Sequence, residues 1–207
     1  MTSDTEVMKG QLCQILYKIG ALKFGTFKLT SGKMSPYYID LRIVPSFPDA
    51  FRKICDLYVK LIKTSVDAES FRRIAGIPTA GIPFASVVAY TLGKSFLYTR
   101  EAERTHGRKR KVEGVLISGD GVLLLDDLVT SGKSLLKAAA AIRAEGGVVN
   151  DAVVLIDREE GGRENLAKDK IRLHFLLKAG EAASTLHELD AITDMEFKMI
   201  MKQRKEK

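Results

Sequence analysis

The sequence predicts an α/β fold in which a mostly parallel, doubly wound sheet follows a small N-terminal segment. From residue 71 onward, short apolar stretches alternate with stretches of helical apolar spacing. Strands that are apolar throughout are typical of parallel sheets covered by helices on both faces. Ligands of such sheets bind at the carboxyl ends of the strands. We therefore expect the functional site where four loops gather, at residues 76–81, 99–114, 126–134 and 157–163.

The N-terminal part of the chain has its own pattern. Apolar residues from Val7 to Ile19 follow helical spacing and stop at Gly20, a residue type common just after helix ends. Residues 23–42, "KFGTFKLTSGKMSPYYIDLR", mix aromatic and β-branched residues with glycines and a proline, which predicts short strands around a turn. A second amphipathic helix is predicted after Pro48.

The remaining elements follow the alternation. Strands are predicted for the apolar stretches "RRIAGI", "SFLYT", "GVLLLDD", "VVNDAVVLID" and "IRLHFLL". Helices are predicted for "GIPFASVVAYTLG", closed by Gly93, and for "GKSLLKAAAAIRAEGG", ended by two glycines. At 207 residues the chain fits one domain, with an N-terminal part at about 1–45, which we call the hood, and a core at about 46–207.

Composition restricts the class of protein. With 45% hydrophobic and 29% charged residues, the chain resembles a folded soluble protein, and its net charge of +7 favours an anionic partner. That partner is nucleic acid, an acidic membrane or a phosphorylated small molecule. Cys13 and Cys55 lie in stretches of helical spacing and are predicted to be buried thiols, without a disulfide framework or a four-ligand zinc site. Without a secretory signal or an apolar run near the roughly 20 residues of a membrane helix, we expect a cytoplasmic protein with no membrane partner.

The stretch "LLLDDLVTSGKSL" at 123–135 ends like a nucleotide-binding P-loop but begins with two acids. A P-loop requires glycine five positions before its Gly-Lys pair, because bare backbone must wrap around the β-phosphate. Asp127 stands at that position, and its carboxylate would repel a triphosphate. The amides of Thr130 to Ser134 can instead converge on one phosphate at the positive end of the following helix. The turn therefore favours a monophosphate.

The two acids favour a ribose on the same ligand, because carboxylates accept hydrogen bonds from vicinal hydroxyls. An acidic strand end that only caps the helix is the alternative. The order of apolar strand, two aspartates and T-S-G-x-S resembles the phosphoribosyl diphosphate (PRPP) signature of the type I phosphoribosyltransferases. The resemblance implies their fold, and it implies PRPP binding by Asp126, Asp127, Leu128, Val129, Thr130, Ser131, Gly132, Lys133 and Ser134.

Three further stretches resemble the orotate phosphoribosyltransferases in particular: "FKLTSGKMSPYYIDLR" at 27–42, "YTREAERTHG" at 98–107 and "LIDREEGGRENL" at 155–166. This resemblance implies transfer of the 5-phosphoribosyl group of PRPP to orotate, which gives orotidine 5′-monophosphate and diphosphate in de novo pyrimidine biosynthesis. It also implies Mg²⁺ as a cofactor and a homodimer whose mobile loop at 98–107 reaches into the neighbouring subunit's site.

The same resemblance implies roles for single residues. Tyr38 and Ile39 match positions that pack against the orotate ring, and Thr130 and Arg158 match positions that help to place orotate. An arginine also suits a carboxylated base chemically, because its fork binds carboxylates bidentately; an ion pair of Arg158 with a neighbouring glutamate, Glu159 or Glu160, is the alternative. Reaction through a ribosyl cation leaves growing negative charge on diphosphate, which requires cations nearby. The implied diphosphate contacts are Arg100, Arg104 and His106, and the implied catalytic residues are Arg104, His106 and Asp127.

The sequence departs from the common family pattern at several cationic positions. Arg104 stands where the catalytic lysine is usual. Three further positions at which lysines are frequent hold other residues, namely Thr30, Ala80 and Glu101. The candidates to compensate are Lys28, Lys33 and the basic cluster at 108–111. As an isolated feature, that cluster is as typical of a solvated loop or a nucleic-acid patch.

Two other functions compete with orotate transfer. A purine-salvage phosphoribosyltransferase would keep the PRPP site but would not need Arg158 or the aromatic "SPYYID" segment. A PRPP-sensing regulator of the same fold would suit the positive charge, but it would carry an added nucleic-acid-binding module. The chain has no room for such a module beyond its N-terminal helix and hood, so we expect no nucleic-acid partner. His174 and His187 lack metal-like spacing, and no residue is assigned as a metal ligand.

Overall fold

The computed structural model describes residues 2–28, 34–100 and 111–205, with side chains from residue 4 to residue 202. Within these ranges the helices are α1 (Thr2–Lys18), α2 (Pro48–Ser65), α3 (Gly81–Leu92), α4 (Lys133–Ala144), α5 (Gly162–Lys168), α6 (Ala182–Glu188) and α7 (Asp194–Lys205). The strands are β1 (Leu22–Lys28), β2 (Met34–Ile39), β3 (Arg73–Gly76), β4 (Ser95–Thr99), β5 (Val112–Glu113), β6 (Gly121–Leu125), β7 (Leu128–Val129), β8 (Val148–Asp157) and β9 (Arg172–Lys178). Short 3-10 helices lie at Leu41–Ser46 and Ala179–Glu181.

Most of these elements match the sequence-based predictions. The helix before Gly20 is α1, the predicted short strands are β1 and β2, and the helix that begins at Pro48 is α2. The five predicted core strands are β3, β4, β6, β8 and β9, and the two predicted core helices are α3 and α4. The apolar pattern did not indicate the short strands β5 and β7 or the helices α5, α6 and α7, because each is short or carries many polar residues.

Met1–Ile54 and Ala179–Lys207 form one compact unit. β1 pairs antiparallel with β2, and Leu22 lies opposite Ile39. α6 contacts α1, while α7 contacts both α6 and β2. Lys9 of α1 forms an ion pair with Glu181, next to α6, at 3.3 Å. The structure thus groups residues from 179 onward with the N-terminal segment, although the sequence placed them in the core; a single phosphoribosyltransferase domain over 1–207 stays a prediction.

Cys55–Lys178 form the second compact unit, which is built around a sheet of seven strands in the described part of the chain. The strand order is β5-β4-β3-β6-β8-β7. β6 and β7 pair with successive parts of β8, and β9 pairs with the opposite side of β8 from Asp151 to Asp157. Every pairing is parallel except that of β4 with β5. Nearly all residues of β3, β6 and β8 are buried, as expected for strands covered on both faces. The predicted mostly parallel sheet is confirmed.

The carboxyl ends of four parallel strands lie at the same end of this sheet. Because the strands run in the same direction, their carboxyl ends lie side by side. The residues just beyond them are hydrogen-bonded to one another: the Ile77 amide donates to the Leu125 carbonyl at 3.0 Å, and the Arg158 amide donates to the Val129 carbonyl at 3.0 Å. The described starts of the loops that the sequence assigned to the site therefore lie at this end of the sheet, after strands that end at Gly76, Thr99, Leu125 and Asp157.

Both cysteines are buried, as predicted, and neither forms a disulfide. Burial raises the pKa of the Cys13 thiol to about 12 and that of the Cys55 thiol to about 12. Both therefore behave as small apolar side chains at neutral pH. None of the helices in the described ranges is long and apolar enough to span a bilayer.

Candidate active site

A small cavity of about 60 Å³ lies inside the turn between β6 and α4. Its size suits a single tetrahedral anion better than a chain of phosphates. Backbone amides and hydroxyls at the start of α4 provide donors, and the positive end of a helix favours an anion. The cavity lies in the turn that the sequence assigned to a phosphate, and it is lined by Asp126, Leu128, Val129, Thr130, Ser131, Gly132, Lys133, Ser134 and Leu135.

The turn is held in shape by α5, an element that the sequence pattern did not indicate. The Asn165 side-chain amide donates to the Ser131 carbonyl at 3.1 Å. Gly162, the first residue of α5, lies so close that a Cβ atom there would be 2.5 Å from the Thr130 carbonyl oxygen. Gly132 ends the turn with a φ of 78°, in the left-handed region that favours glycine. Both glycines are therefore needed for the shape of the turn, although only Gly132 lines the cavity.

The two aspartates at the end of β6 lie in different environments. Asp126 is 8% exposed, and its carboxylate accepts a hydrogen bond from the Asp127 amide at 2.9 Å. Asp127 is half-buried, and its carboxylate accepts from the Leu128 amide at 2.8 Å. Asp127 does not line the phosphate-sized cavity. These bonds orient both carboxylates against their own backbone and leave further acceptor sites on their oxygens.

Burial raises the pKa of Asp126 well above its usual range, and the negative charge of Asp127 raises it further. A ligand that offers hydroxyl donors to Asp126 would replace part of the lost hydration. The two aspartates therefore place hydrogen-bond acceptors next to a cavity of the size of one phosphate.

Tyr58 holds the backbone of the aspartate pair by a hydrogen bond, a contact that the sequence did not reveal. This residue of α2 is fully buried, and its hydroxyl donates to the Asp126 carbonyl at 2.7 Å. Its ring packs against Phe84 of α3, with centroids 5.7 Å apart. Burial raises the pKa of Tyr58, so the hydroxyl stays protonated and remains a donor. Only the helical spacing of Tyr58 with neighbouring apolar residues was visible in the sequence.

Arg158 follows β8 directly and is the arginine predicted to bind a carboxylate. Its side chain is 11% exposed, and Nη2 lies 3.2 Å from a carboxylate oxygen of Glu160. The ion pair with Glu160 that the sequence left open as an alternative is therefore present in the structure. Asp157, the last residue of β8, is also buried and accepts a hydrogen bond from the Glu159 amide at 2.8 Å.

A second cavity, of about 170 Å³, shares the lining residue Ser134 with the first. It lies between the ends of β3 and β4 and one face of α4. Arg100 contributes its side chain to this cavity, and its Nε lies 2.7 Å from a carboxylate oxygen of Glu113. The remaining lining residues are Ile77, Pro78, Thr99, Lys111, Lys137, Ala138 and Ala141.

Several predicted site residues lie elsewhere or outside the described ranges. Tyr38 belongs to the first compact unit, where its ring lies 5.6 Å from that of Phe27 and its hydroxyl donates to Asp40 at 3.4 Å. Ile39, in the same strand, is buried. Two predicted diphosphate contacts, Arg104 and His106, fall in residues 101–110, as does Glu101, while Thr30 and Lys33 fall in residues 29–33; all five lie outside the part of the chain that the structure describes. Their roles stay predictions.

The other two histidines pair with carboxylates. His174 of β9 lies 2.7 Å from Asp151, and His187 of α6 lies 2.6 Å from Asp194. Among the residues that the structure describes, no group of three or more histidine, cysteine, aspartate or glutamate side chains could hold a metal ion.

Comparison with known proteins places these features in a family. A model described as "Phosphoribosyl transferase domain" matches residues 46–176. The orotate phosphoribosyltransferase of Cenarchaeum symbiosum (strain A) is 42% identical over 83% of this chain and 86% of its own length. The crystal structure of orotate phosphoribosyltransferase from Aeropyrum pernix, 32% identical, superposes with a TM-score of 0.72 and covers 86% of this chain and 99% of that one. The UMP synthase of Leishmania donovani, 30% identical, superposes with a TM-score of 0.80 over 93% of this chain, which spans 41% of that enzyme's length.

Proposed function

This chain belongs to the orotate phosphoribosyltransferase family, and we propose that it transfers the 5-phosphoribosyl group of PRPP to orotate. The products are orotidine 5′-monophosphate and diphosphate, and the reaction belongs to de novo pyrimidine biosynthesis. The observation that carries the proposal is the pairing of a phosphate-sized cavity at the start of α4 with two aspartates at the end of β6. One end of this arrangement suits a phosphate and the other suits hydroxyls.

In this proposal the amides of residues 130–134 bind the 5-phosphate of PRPP, and Asp126 and Asp127 accept hydrogen bonds from the ribose 2- and 3-hydroxyls. As the bond between ribose C1 and the diphosphate oxygen breaks, a carbon–nitrogen bond to the base forms. Positive charge grows on the ribose and negative charge on diphosphate. Asp127, placed at the ribose, is a catalytic residue because its carboxylate stabilises the ribosyl cation.

Orotate carries a carboxylate on its pyrimidine ring, and Arg158 would bind it as a bidentate partner. Its place directly after β8 supports this role, since the carboxyl ends of the parallel strands form the ligand edge. Orotate would have to displace Glu160 from Arg158, so one ion pair replaces another. Thr130 would contact the same ligand from the phosphate turn, and Tyr38 and Ile39 would pack against the ring.

Arg100, Arg104 and His106 would bind diphosphate. For Arg100 the support is its position in the cavity next to the phosphate turn. Residues on this side of the ligand act most strongly in the transition state, because the negative charge on diphosphate increases as the bond breaks. No enzymic nucleophile is required.

Mg²⁺ would bind together with PRPP, held in part by the phosphates of the substrate. Mg²⁺ keeps several waters and is usually held by one or two carboxylates together with substrate phosphates. The donors in the described part of the chain fit this mode, since Asp126 and Asp127 supply carboxylates at the turn. When bound, the ion would neutralise part of the charge on diphosphate.

We further propose a homodimer in which the loop at 98–107 closes over the neighbouring subunit's site. Mixing Arg104→Ala subunits with Asp127→Ala subunits would then restore activity, because each heterodimer contains one intact site. Recovery should be absent if the loop closes over its own subunit, provided that subunit exchange is demonstrated with a tagged chain.

The direct test is incubation of the purified protein with PRPP, Mg²⁺ and a panel of bases that includes orotate, uracil, adenine and hypoxanthine. Orotate should be consumed and diphosphate released. Uracil should react poorly because it lacks the carboxylate that Arg158 would bind. Consumption of a purine instead of orotate would establish the salvage alternative, and consumption of no base would favour a PRPP-binding regulator.

A second test addresses the acceptor site. Arg158→Ala should raise the orotate KM by a factor that corresponds to about 2–5 kcal/mol of binding free energy, the usual effect of removing one partner of a desolvated charge pair. The PRPP KM should stay constant. Arg163→Ala is the matched control, because Arg163 lies on the exposed side of α5. Equal effects of the two substitutions on the orotate KM would contradict the role of Arg158.

A further inference from the structure

The phosphate turn, at residues 126–134, is attached through its backbone carbonyls to the segment that follows β8. The Val129 carbonyl accepts a hydrogen bond from the Arg158 amide at 3.0 Å. Two residues further on, the Ser131 carbonyl accepts one from the side-chain amide of Asn165 at 3.1 Å. Between these two donors the chain leaves the strand and enters α5. Asn165 therefore continues with its side chain a row of donors that begins with backbone amides.

The bond to Ser131 orients a peptide group at the wall of the cavity. The peptide group between Ser131 and Gly132 is trans, and in a trans peptide the N–H points opposite to the C=O. Since the carbonyl faces Asn165, the Gly132 amide points away from that side chain. Gly132 lines the phosphate-sized cavity, whereas Asn165 is not among its lining residues. Asn165 can therefore fix the direction of a donor of the cavity without touching the ligand.

This peptide group requires such a restraint because of the glycine that follows it. Its orientation depends on ψ of Ser131 and φ of Gly132, and a flip of the peptide changes both angles. Gly132 has a φ of 78°, and glycine adopts positive and negative φ about equally readily. The restraint itself is well placed, since Asn165 is half-buried and its neighbour Leu166 is fully buried in the core. The backbone thus permits two orientations, and the side chain on α5 favours one.

We propose that Asn165 is a positioning residue for PRPP: its bond to the Ser131 carbonyl selects the peptide orientation in which the Gly132 amide binds the 5-phosphate. The inference rests on the proposed function, and it gives α5 a part in binding the donor substrate. The 5-phosphate is not altered in the reaction, so the amide binds it equally in the ground state and the transition state. Loss of such uniform binding raises KM and leaves kcat unchanged.

The test is replacement of Asn165 by leucine, which is similar in size and has no donor. A hydrogen bond to a charged group contributes enough that Asn165→Leu should weaken ribose 5-phosphate binding by about tenfold in calorimetric titrations. The PRPP KM should rise by a similar factor, while kcat and the orotate KM stay within about twofold. Asn165→Ala, which also lacks a donor but favours a helix, should show the same selective loss. Asn165→Gln keeps an amide donor and should bind ribose 5-phosphate within about threefold of the parent.

Asn150→Leu is the matched control, because Asn150 is an exposed residue near the amino end of β8 and lines neither cavity of the site. It makes the same replacement and should leave ribose 5-phosphate binding unchanged. Parent-like binding by Asn165→Leu or Asn165→Ala would overturn the proposal. An equal loss in Asn165→Gln would also overturn it, since the donor would then not matter. A fall in kcat as large as the rise in the PRPP KM would overturn it as well, because the damage would concern the whole site.

Failure of this inference can be separated from failure of the proposed function. Consumption of orotate with PRPP by the parent protein tests the function and does not depend on Asn165. A parent that converts orotate, combined with an Asn165→Leu variant that binds ribose 5-phosphate normally, would refute only the role of Asn165. A parent that consumes no base, combined with a selective loss of ribose 5-phosphate binding in Asn165→Leu, would refute the function and retain the role of Asn165 in phosphate binding.

Discussion

Replacing Gly162 with alanine should damage the phosphate site although Gly162 does not line it. A Cβ atom at this position would lie 2.5 Å from the Thr130 carbonyl oxygen and 2.5 Å from a methyl carbon of Val129. Ordinary contact between such atoms requires about 3.5 Å, so the turn or the start of α5 must move by about 1 Å. A displacement of about 1 Å in a positioned site can cost about 10²-fold in activity.

The effect on stability should be smaller than the effect on binding. Alanine is favoured over glycine in helices by about 1 kcal/mol, whereas overpacking costs about 1–3 kcal/mol. The two contributions leave a loss of about 0–2 kcal/mol in the free energy of unfolding. Gly162→Ala should therefore remain folded while its affinity for ribose 5-phosphate falls by about 10²-fold, which urea unfolding and calorimetry measure separately.

Gly161→Asn is the control for this prediction. Gly161 has a φ of 86°, and no heavy atom lies within 4 Å of a Cβ atom built there. Asparagine tolerates the left-handed region, so this variant tests the local backbone without pushing on the turn. Its affinity for ribose 5-phosphate should stay within about threefold of that of the parent. If Gly162→Ala binds ribose 5-phosphate as tightly as the parent, the packing of α5 does not set the shape of the turn.

Three further predictions concern buried groups. Tyr58→Phe leaves the Asp126 carbonyl without its donor and should lower the free energy of unfolding by about 1–3 kcal/mol in urea titrations, whereas Tyr90→Phe, which changes an exposed ring, should have no effect. Asp126→Asn should abolish PRPP binding yet stabilise the ligand-free protein. Because the pKa of Asp126 is raised in the folded state, the parent loses stability as pH rises above the unfolded pKa of about 3.9. The variant should therefore have the larger free energy of unfolding at pH 7, and the difference should disappear below about pH 4. An equal difference at both pH values would refute the reasoning. Cys13 and Cys55, whose thiol pKa values are raised to about 12, should react with a thiol reagent at pH 8 only after unfolding, and fast labelling of the native protein would contradict their burial.

Local features of the chain were sufficient to predict most of the second compact unit. The apolar stretches of β3, β6 and β8 indicate buried parallel strands, because a strand that is buried on both faces is apolar throughout and does not alternate apolar with polar residues. The turn at residues 126–134 could also be predicted, since its two acids, its small residues and the start of the following helix are consecutive in the sequence. The direction of the parallel strands then places the carboxyl ends of these strands at one end of the sheet, as the structure confirms for the described residues.

The contacts that shape the site could not be predicted in this way, because they join residues far apart in the chain. The bond from Tyr58 to Asp126 spans 68 residues, and a tyrosine at helical spacing has the same sequence signature whether or not its hydroxyl finds a partner. Gly162 looked like any loop glycine until the approach of α5 to Thr130 was known.

The sequence by itself determined the five apolar strands of the sheet and the turn that precedes α4, since each depends on neighbouring residues and on the periodicity of strands and helices. Tertiary structure decided which distant side chains meet: the cations of Arg100, Lys111 and Lys137 around one cavity, and the grouping of Ala179–Lys207 with the N-terminal segment. The physical reason is that hydrophobic burial is non-directional, so the apolar pattern specifies which faces are buried but not which distant surfaces pack together.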